Sequence, residues 1–388
     1  MVRKADVFRE KQGINLLTGH RVEIIEPANH MVRGKTREGK DFEAAYDKLL
    51  IATGASAIIP DLPGLDLPAV NALKTLQDAK RIKELLKTNQ VKKAIIIGMG
   101  YIALEMCEAL HALNIKVDMV KPGPVFLPWL EPSLAQTVKA EIESKAVGIY
   151  AGQVVQRIDA SNGNLSVKCK DLSLNGDMVL VAIGTVPNSQ VAEISGIDLG
   201  VNKSIAVDRT LKTSDEHIYA AGDCADAYHV VSGEKTWIPL ALRANRAGWA
   251  VADNVCANRV ELDGVAGTAV FKVFDLEVAR TGLNVAEAEE AGFEPVEMTI
   301  TSGSRAHTYS GATPLWVSLI GDKKSGRLLG AQMVGKEGAA HRINAPAVAL
   351  HAQMTVEQFG QTDLAYAPPF GPTWDPMLTA ANQLLKKM

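Results

Sequence analysis

The sequence predicts an α/β protein whose C-terminal part is a separate α+β domain. The apolar residues 94–97 are followed by a glycine-rich turn, a helix-like segment at 104–113 and a second apolar stretch at 115–120. This order of strand, turn, helix and strand is typical of doubly wound domains. From about residue 263 the pattern changes to alternating strands, such as residues 315–319. A chain of 388 residues is expected to form two or three domains.

The glycine-rich turn predicts dinucleotide binding. Gly98 allows a tight turn, Gly100 leaves room for phosphates, and Ala103 lets the helix pack closely on the strand. Backbone N–H groups at the start of the helix would then face a pyrophosphate. The pattern G-x-G-x-x-A is weakly specific by itself, but here both strands and the helix stand where the motif requires them.

The residue that follows the second strand bears on the choice of nicotinamide cofactor. Many NAD-binding units have Asp or Glu there, which accepts hydrogen bonds from the ribose 2′-OH. This chain has Lys121. A cation favours a 2′-phosphate, so NADPH would at least be tolerated. The alternative is that Lys121 is a solvated loop residue. The sequence leaves both interpretations open, with a slight preference for NADPH over NADH.

Two more apolar strands end in related small-residue turns. Residues 46–52 lead into Thr53-Gly54, and residues 178–183 lead into Gly184, so both carry an Ala-x-Gly ending. Because ligands of open parallel sheets bind at the carboxyl ends of strands, these endings predict two nucleotide-binding units.

A third strand, at residues 218–221, ends in Gly222-Asp223. The carboxylate of Asp223 is suited to hydrogen-bond a polyol or ribose hydroxyl at the edge of a parallel sheet. Taken alone, the pair is more simply a turn followed by a helix N-cap.

Composition restricts the classes of partner. Hydrophobic residues make up 47% of the chain and charged residues 22%, which is ordinary for a globular protein. The net charge of −3 gives no indication of nucleic-acid binding, and no apolar run reaches transmembrane length. The first residues lack the hydrophobic stretch of a signal peptide. We therefore expect a cytoplasmic protein without nucleic-acid or membrane partners.

The four cysteines predict no metal site. They form no C-x-x-C pair and no histidine-interleaved metal spacing; they are Cys107, Cys169, Cys224 and Cys256. Cys224 follows Gly222-Asp223 at a loop-to-helix junction, where a helix N-terminus lowers a thiol pKa. We nevertheless expect it to be redox-inert.

Two helices are predicted from local patterns. One begins at Thr75, with Asp78 three residues later in an arrangement like a capping box. The other follows Pro239, with a predicted packing stripe of Ala244, Ala247, Val251 and Val255.

The order of these motifs resembles the FAD-dependent pyridine nucleotide–disulfide oxidoreductases. The chain has ATGA, then G-x-G-x-x-A-x-E, then IGTVPN, then YAAGD, and the resemblance runs from about Phe8 to the C-terminus. The second half is similar to the group that contains coenzyme A-disulfide reductases, NADH oxidases and NAD(P)H-dependent sulfur or persulfide reductases. The segments that carry this similarity are residues 237–241, 267–275, 309–312, 366–370 and 374–377.

The resemblance implies FAD and NAD(P)H as cofactors and assigns them residues. Those implied to lie at FAD are Ala52, Thr53, Gly54, Gly222, Asp223, Pro239, Leu240 and Ala241. Those implied to lie at NAD(P)H are Gly98, Gly100, Tyr101, Ile102, Glu105 and Gly184, and Lys121 is added to them from its position after the second strand.

The resemblance also implies catalytic roles for Tyr309 and Tyr366. They align with tyrosines that approach the substrate cleft, the second from the neighbouring subunit of a homodimer. A phenol there would hydrogen-bond a sulfur or supply a proton as a thiolate leaves. The alternative is that both are interface aromatics.

The chain departs from its relatives at the N-terminus. Those proteins begin with a strand, glycine turn and helix for the ADP part of FAD, followed by a redox-active cysteine. We expect about 70 residues, the size of such a unit, to be missing before Met1. Three explanations stay open: a fragment, which we favour, a variant that has lost its thiol, or a first segment supplied by a separate polypeptide.

The expected architecture is two Rossmann-like nucleotide-binding domains, the FAD domain incomplete at its N-terminus, plus a C-terminal α+β dimerisation domain. The expected boundaries are 1–70 and 198–262 for the FAD domain, 71–197 for the NAD(P)H domain and 263–388 for the dimerisation domain. The expected function is hydride transfer from NAD(P)H through FAD to a disulfide, persulfide or polysulfide, with coenzyme A-linked acceptors as one option. The alternatives are an NADH oxidase that reduces oxygen and a non-catalytic dinucleotide-binding remnant.

Overall fold

The structure, a computed structural model, describes residues 5–88, 90–161 and 164–388. The α-helices in these ranges are α1 (Leu76–Thr88), α2 (Tyr101–His111), α3 (Pro132–Ser144), α4 (Gln190–Ile194), α5 (Ala241–Val255), α6 (Val285–Glu290), α7 (Ala339–Arg342), α8 (Asn344–His351), α9 (Val356–Gly360) and α10 (Pro376–Leu385).

The β-strands in the same ranges are β1 (His20–Glu26), β2 (Met31–Thr36), β3 (Asp41–Ala45), β4 (Leu49–Ile51), β5 (Ala55–Ala57), β6 (Val70–Ala72), β7 (Lys93–Ile97), β8 (Lys116–Lys121), β9 (Gly148–Ala151), β10 (Val155–Ser161), β11 (Asn164–Cys169), β12 (Ser173–Gly176), β13 (Met178–Val181), β14 (Thr185–Pro187), β15 (Ile218–Ala220), β16 (Ala227–Tyr228), β17 (Lys235–Thr236), β18 (Ala269–Val273), β19 (Leu276–Gly282), β20 (Pro295–Gly303), β21 (Pro314–Asp322) and β22 (Leu328–Gly335).

The chain divides into two compact units. The first contains the described residues up to Ala55 together with Pro187–Ala227 and Lys235–Asp263. The second contains Ser56–Val186, Tyr228–Glu234 and Gly264–Met388. The four-part division expected from the sequence is finer than these units and stays a prediction.

The first unit contains two small β-sheets. β1, β2 and β3 form an antiparallel sheet in that order. β4 and β15 pair in parallel, with Ile51 opposite Ala220. Both residues belong to an apolar cluster that also contains Ala247, Ala250 and Val251 of α5. The two parallel strands therefore end at one edge, beside α5.

The second unit contains a five-stranded parallel sheet in the order β6-β13-β7-β8-β9. The central strand β7 is buried at residues 94–97, as expected for a strand covered on both faces. Ile96 shares a core with Leu104 of α2 and Leu134 of α3. The predicted strand–turn–helix–strand order is confirmed, with α2 beginning earlier than expected, at Tyr101. A separate antiparallel sheet has the order β10-β11-β12.

The C-terminal part of the second unit is a five-stranded antiparallel sheet in the order β18-β19-β22-β21-β20. Helices α7 to α10 follow it in the chain. Phe359 of α9 and Leu384 of α10 pack in one core with Val317 of β21 and Met333 of β22. The predicted change to an α+β domain is confirmed.

The predicted capping box at the start of α1 is also confirmed. Thr75 Oγ1 accepts a hydrogen bond from Asp78 N at 3.1 Å, and Asp78 Oδ2 accepts one from Thr75 N at 2.8 Å. Among the helices in the described ranges, none has the length and apolar character needed to cross a bilayer.

The second unit buries an imidazole, that of His229, which is 5% exposed. Its Nδ1 accepts a hydrogen bond from Val231 N at 3.2 Å. Burial lowers the pKa of His229 to about 4, although the negative charge of Glu287 opposes the shift. A histidine in an unfolded chain has a pKa of about 6.5. The unfolded chain therefore binds more protons between these values, and stability falls as the pH decreases through that window.

We expect His229→Gln to remove this pH dependence. Between pH 7 and pH 5 the free energy of unfolding of the unmodified chain should fall by about 2 kcal/mol more than that of the variant. Denaturant titration at both pH values measures the difference. His20→Gln, which removes an exposed imidazole, is the control. Equal pH dependence in the variant and the unmodified chain would show that His229 is not the source.

Candidate functional site

The carboxyl ends of β4 and β15 form the first candidate cofactor site. Because the two strands run parallel, the residues that follow them reach the same edge of the sheet. Ala52, Thr53 and Gly54 follow β4, and Gly222 and Asp223 follow β15. The structure thus brings together two motifs that are far apart in the sequence.

Asn188 fixes the turn after β4. Its side-chain Nδ2 donates to Thr53 O at 2.9 Å, and its backbone N donates to Gly54 O at 2.9 Å. Asn188 ends the IGTVPN segment, so this part of the sequence holds the Ala-Thr-Gly turn within the first unit.

The turn after β15 is fixed by Arg243, which the sequence analysis did not identify. The Arg243 side chain is buried in α5, and its Nη1 donates to Gly222 O at 2.9 Å while its Nη2 donates to Asp226 O. Burial lowers the pKa of this guanidinium, an effect opposed by the charge of Asp226. Trp237 Nε1 adds a hydrogen bond to Asp223 O at 2.8 Å.

The predicted packing stripe of α5 was wrong in part. Ala247 and Val251 are buried as expected, but Val255 is 41% exposed and Arg243 is buried in the first turn instead. The guanidinium lies inside because it satisfies carbonyl groups of the neighbouring turns. Its contact with Gly222 O places the start of α5 at Ala241, with Pro239 and Leu240 immediately before it, beside the same edge.

The residues at this edge fit FAD. Gly54 and Gly222 have φ values of 71° and 85°, which side-chain-bearing residues rarely adopt. A Cβ atom built at Gly54 would meet no heavy atom within 4 Å, and one at Gly222 would meet only Ala244 Cβ, at 4.0 Å. A phosphate or polyol can therefore approach the backbone at both turns.

The turn between β7 and α2 forms the second candidate cofactor site. Gly98 has a φ of 121°, and a Cβ atom there would lie 2.1 Å from Ala182 O. Its backbone N donates to Val120 O at 2.8 Å. Because β13 lies next to β7, Gly184 belongs to the same edge, and Lys121 ends the neighbouring strand β8.

This second edge fits NAD(P)H. Gly100 is the N-cap of α2, with a φ of −84°, and a Cβ atom built there would meet nothing within 4 Å. The first N–H groups of α2 therefore open onto free space that a pyrophosphate can occupy. Ile102 and Glu105 of α2 are exposed.

Lys121 contacts the loop that follows β8. Its Nζ donates to Val125 O at 2.7 Å, within the loop that follows β8. Burial lowers the pKa of the Lys121 ammonium. The loop therefore holds the cation near the end of β8, where the ribose of a bound dinucleotide is expected.

Tyr101 joins the nucleotide turn to the C-terminal sheet. Its ring lies 5.4 Å from that of Trp129 and 5.1 Å from that of Phe271, measured between centroids. The Arg280 guanidinium lies 5.6 Å over the Trp129 ring, and its Nη2 is 2.7 Å from Glu287 Oε2. Burial raises the pKa of Tyr101, and the charge of Arg280 opposes this shift.

The two predicted catalytic tyrosines lie on neighbouring segments of the C-terminal part. Tyr309 is 42% exposed in the loop between β20 and β21, and Tyr366 is 50% exposed before α10. The segments are linked by a hydrogen bond from Ala306 N to Pro368 O of 3.2 Å. The two segments are thus in contact within one protomer, and the expected approach of Tyr366 to the cleft of the neighbouring subunit stays a prediction.

The thiols do not form a site. Cys107, Cys169 and Cys224 are buried, and the exposed Cys256 is the C-cap of α5. Cys224 donates to Ala221 O at 3.3 Å, and its expected lack of redox activity stays a prediction. Burial raises the pKa of Cys107 to about 12. Across the described residues, no group of three or more His, Cys, Asp or Glu side chains is arranged to hold a metal ion.

The fold and the two glycine-containing sheet edges are those of an α/β protein with two dinucleotide sites. The chain belongs to the pyridine nucleotide-disulphide oxidoreductase family, whose model matches residues 2–248 and whose dimerisation domain matches residues 268–377. It is therefore an oxidoreductase that uses FAD and NAD(P)H, as the resemblance predicted.

Known proteins resemble this chain over almost its whole length. The NAD(P)H sulfur oxidoreductase (CoA-dependent) of Pyrococcus furiosus is 34% identical over 388 residues, covering 98% of this chain and 85% of that one. The NADH oxidase of Methanocaldococcus jannaschii is 30% identical, with 98% and 85% covered. The solved structure of an NAD-dependent persulfide reductase from A. fulgidus matches with a TM-score of 0.95 and 35% identity, covering 99% of this chain and 72% of that one.

We expect Gly100→Ala to weaken NAD(P)H binding without destabilising the fold. The added methyl group meets no protein atom, so the free energy of unfolding should change by about 0.5 kcal/mol or less. The same methyl group would occupy pyrophosphate space and raise the Kd for NAD(P)H about tenfold or more. Calorimetric titration measures the affinity.

Gly98→Ala is the matched control for Gly100→Ala. Its Cβ atom would collide with Ala182 O, so this variant, unlike Gly100→Ala, should have a clearly lower free energy of unfolding than the unmodified chain. If Gly100→Ala binds NAD(P)H as tightly as the unmodified chain, the predicted pyrophosphate position is wrong.

We expect Lys121→Ala to lower the preference for NADPH. Loss of the ammonium should raise the Kd for NADPH about fivefold, as for one partly exposed ion pair, and leave that for NADH nearly unchanged. Lys116→Ala, which removes an exposed ammonium at the start of the same strand, is the control. Equal changes for both nucleotides would favour the loop-residue interpretation of Lys121.

Proposed function

We propose that this protein uses NAD(P)H to reduce a sulfur–sulfur bond in a small disulfide, persulfide or polysulfide. For a disulfide the balanced reaction is NAD(P)H plus H⁺ plus RSSR giving NAD(P)⁺ plus two RSH. The observation that carries the proposal is the pair of open glycine edges, one after β4 and β15 and the other after β7, on a chain with the family's dimerisation domain.

The names of the relatives support this class of acceptor. The Pyrococcus furiosus protein is called a CoA-dependent sulfur oxidoreductase, and the A. fulgidus structure is that of a persulfide reductase. Both match nearly all of this chain. We therefore include coenzyme A-linked disulfides and persulfides among the proposed acceptors.

The residues of the chain bind and orient the two cofactors. Gly98 and Gly100 would bring the pyrophosphate of NAD(P)H against the N-terminus of α2, and Gly184 would border it from the neighbouring strand. Gly54 and Gly222 would hold FAD through close backbone approach. When bound, FAD supplies the two-electron step that side chains cannot perform.

Tyr309 and Tyr366 are the proposed catalytic residues for the acceptor. Each phenol can donate a hydrogen bond to a sulfur atom and can supply a proton as a thiolate leaves. Their exposure leaves them accessible to a small molecule. The same exposure suits a contact between subunits, and the dimerisation domain supports a homodimer.

The domain boundaries and the compartment are part of the proposal. The FAD domain would comprise residues 1–70 and 198–262, the NAD(P)H domain residues 71–197 and the dimerisation domain residues 263–388. All four cysteines are unpaired, which supports a reducing compartment such as the cytoplasm.

An NADH oxidase activity is the second candidate, favoured by the relative of that name. Three of the four thiols are buried, which also favours an oxidase activity, because thiolates that exchange with disulfides need access to solvent. Oxygen as the acceptor would make the reaction independent of added disulfide.

The test follows NAD(P)H oxidation by the FAD-loaded protein without oxygen. Coenzyme A disulfide, glutathione disulfide and polysulfide are offered in turn, and released thiol is measured with a thiol-reactive dye. We expect two thiols for each NAD(P)H oxidised with a disulfide. Turnover only when oxygen is admitted would assign the protein to the oxidases. Nucleotide binding without any turnover would instead indicate a dinucleotide-binding remnant.

Two Tyr→Phe variants test the proposed catalytic roles of Tyr309 and Tyr366. Tyr309→Phe and Tyr366→Phe should each lower kcat with the sulfur acceptor about 10- to 100-fold and leave reduction of an artificial dye unchanged. Tyr150→Phe, on β9, is the control for removing a phenol. Unchanged kcat with altered dimer dissociation would make both tyrosines interface residues.

A further inference from the structure

Two segments of the C-terminal part carry the proposed catalytic tyrosines. The Tyr309 loop comprises residues 304–313, between β20 and β21, and the Tyr366 segment comprises residues 366–371, before α10. Neither belongs to a strand or helix of the sheet. Contacts other than strand and helix backbone hydrogen bonds therefore hold them in place.

One largely buried guanidinium contacts both segments. Nη2 of Arg342, the last residue of α7, donates to Ser304 O of the Tyr309 loop at 3.1 Å and to Phe370 O of the Tyr366 segment at 2.7 Å. Nε donates to Asp375 Oδ2 at 2.9 Å. The Arg342 and Asp375 side chains are only 12% and 14% exposed. A single nitrogen atom thus bridges the two segments.

The surrounding backbone leaves room for this guanidinium. Gly338, with a φ of 87°, lies so close that a Cβ atom there would be 2.0 Å from Arg342 Nη1. A Cβ atom at Gly371 would be 3.1 Å from Nη2. A side chain at Gly338 would displace the guanidinium, and one at Gly371 would press on it, so the site is built around Arg342.

The residue before Gly338 holds the Tyr309 loop from the same side. Glu337 Oε1 accepts from Ser304 Oγ at 2.6 Å and from Arg305 Nε at 2.8 Å, and its Oε2 accepts from Arg305 Nη2 at 2.6 Å. These bonds to Arg305 and Ser304 lower the pKa of Glu337. Glu337 contacts the Tyr309 loop, whereas Arg342 contacts both segments.

We propose that Arg342 is a positioning residue that sets the Tyr309 loop against the Tyr366 segment for reaction with the sulfur acceptor. The inference rests on the proposed function of the two tyrosines. The hydrogen bonds of Arg342 go to the two tyrosine segments and to Asp375, so the proposed role concerns the acceptor and not NAD(P)H.

A lysine cannot replace Arg342. The guanidinium presents Nε and Nη2 in a fixed planar fork, which reaches a carboxylate and two carbonyl oxygens in different directions. An ammonium at the end of a flexible chain is a point donor without this geometry. Arg342→Lys therefore keeps the charge and removes the bridge.

The kinetic test uses the FAD-loaded dimer with Arg342→Lys. We expect kcat/KM for coenzyme A disulfide or polysulfide to fall about 10- to 100-fold, because small misplacements of reacting groups have effects of this size. The KM for NAD(P)H and the rate of artificial dye reduction should not change. Asp375→Asn, which keeps an oxygen for the α10 cap, should show a smaller loss of the same kind.

Hydrogen exchange tests the positioning without relying on activity. In Arg342→Lys, amides of the Tyr309 loop and the Tyr366 segment should both exchange faster, while those of β21 and β22 stay protected. Arg305→Lys, which disturbs the Glu337 contact and leaves the Arg342 contacts in place, should affect the Tyr309 loop alone. Arg259→Lys, at an exposed arginine, is the control for surface charge.

The outcomes separate the two proposals. If the unmodified protein reduces no sulfur acceptor, the proposed function fails. The hydrogen-exchange rates of the two segments in Arg342→Lys still decide whether Arg342 holds them together. If dye reduction and sulfur reduction fall equally, Arg342 is merely structural. If neither the kinetics nor the exchange changes, the positioning role is wrong.

Discussion

Close backbone approach at the carboxyl ends of parallel strands is the constraint on which the rest of the structure depends. At Gly98 the chain passes so near Ala182 O that no side chain fits. Parallel pairing makes this proximity unavoidable, because β7 and β13 end side by side. The backbone N–H groups that follow are then left facing open space at the start of α2, which is what a phosphate requires.

Turns and loops, both here and beside the antiparallel sheet, leave carbonyl groups that strands and helices do not satisfy. In this protein arginines supply many of the missing donors. Arg243 donates to Gly222 O and Arg342 donates to Ser304 O and Phe370 O. A buried guanidinium is suited to this task because it offers several N–H groups in a rigid plane. The turn at Gly222 and the two tyrosine segments are thereby kept in place without extending the sheets.

The sequence predicted the features that depend on local pattern and missed those that depend on distant contacts. The strand before Gly98, the turn at Gly222 and the capping box at Thr75 each need only a few adjacent residues, and all lie where expected. Arg243 looks like an exposed position of an amphipathic helix until α5 is placed against β15. Arg342 is 28 residues from Phe370, and no periodicity connects them.

The glycine turns and the arginine-held tyrosine segments have different consequences for specificity. Glycine edges recognise phosphates through the backbone, so they accept any dinucleotide whose pyrophosphate fits and tolerate change elsewhere in the chain. The tyrosine segments present side chains instead, and the ion pairs Arg305–Glu337 and Arg342–Asp375 hold them outside the sheets. Proteins named as a sulfur oxidoreductase, a persulfide reductase and an NADH oxidase all resemble this chain over nearly its whole length, so the fold by itself does not determine the acceptor.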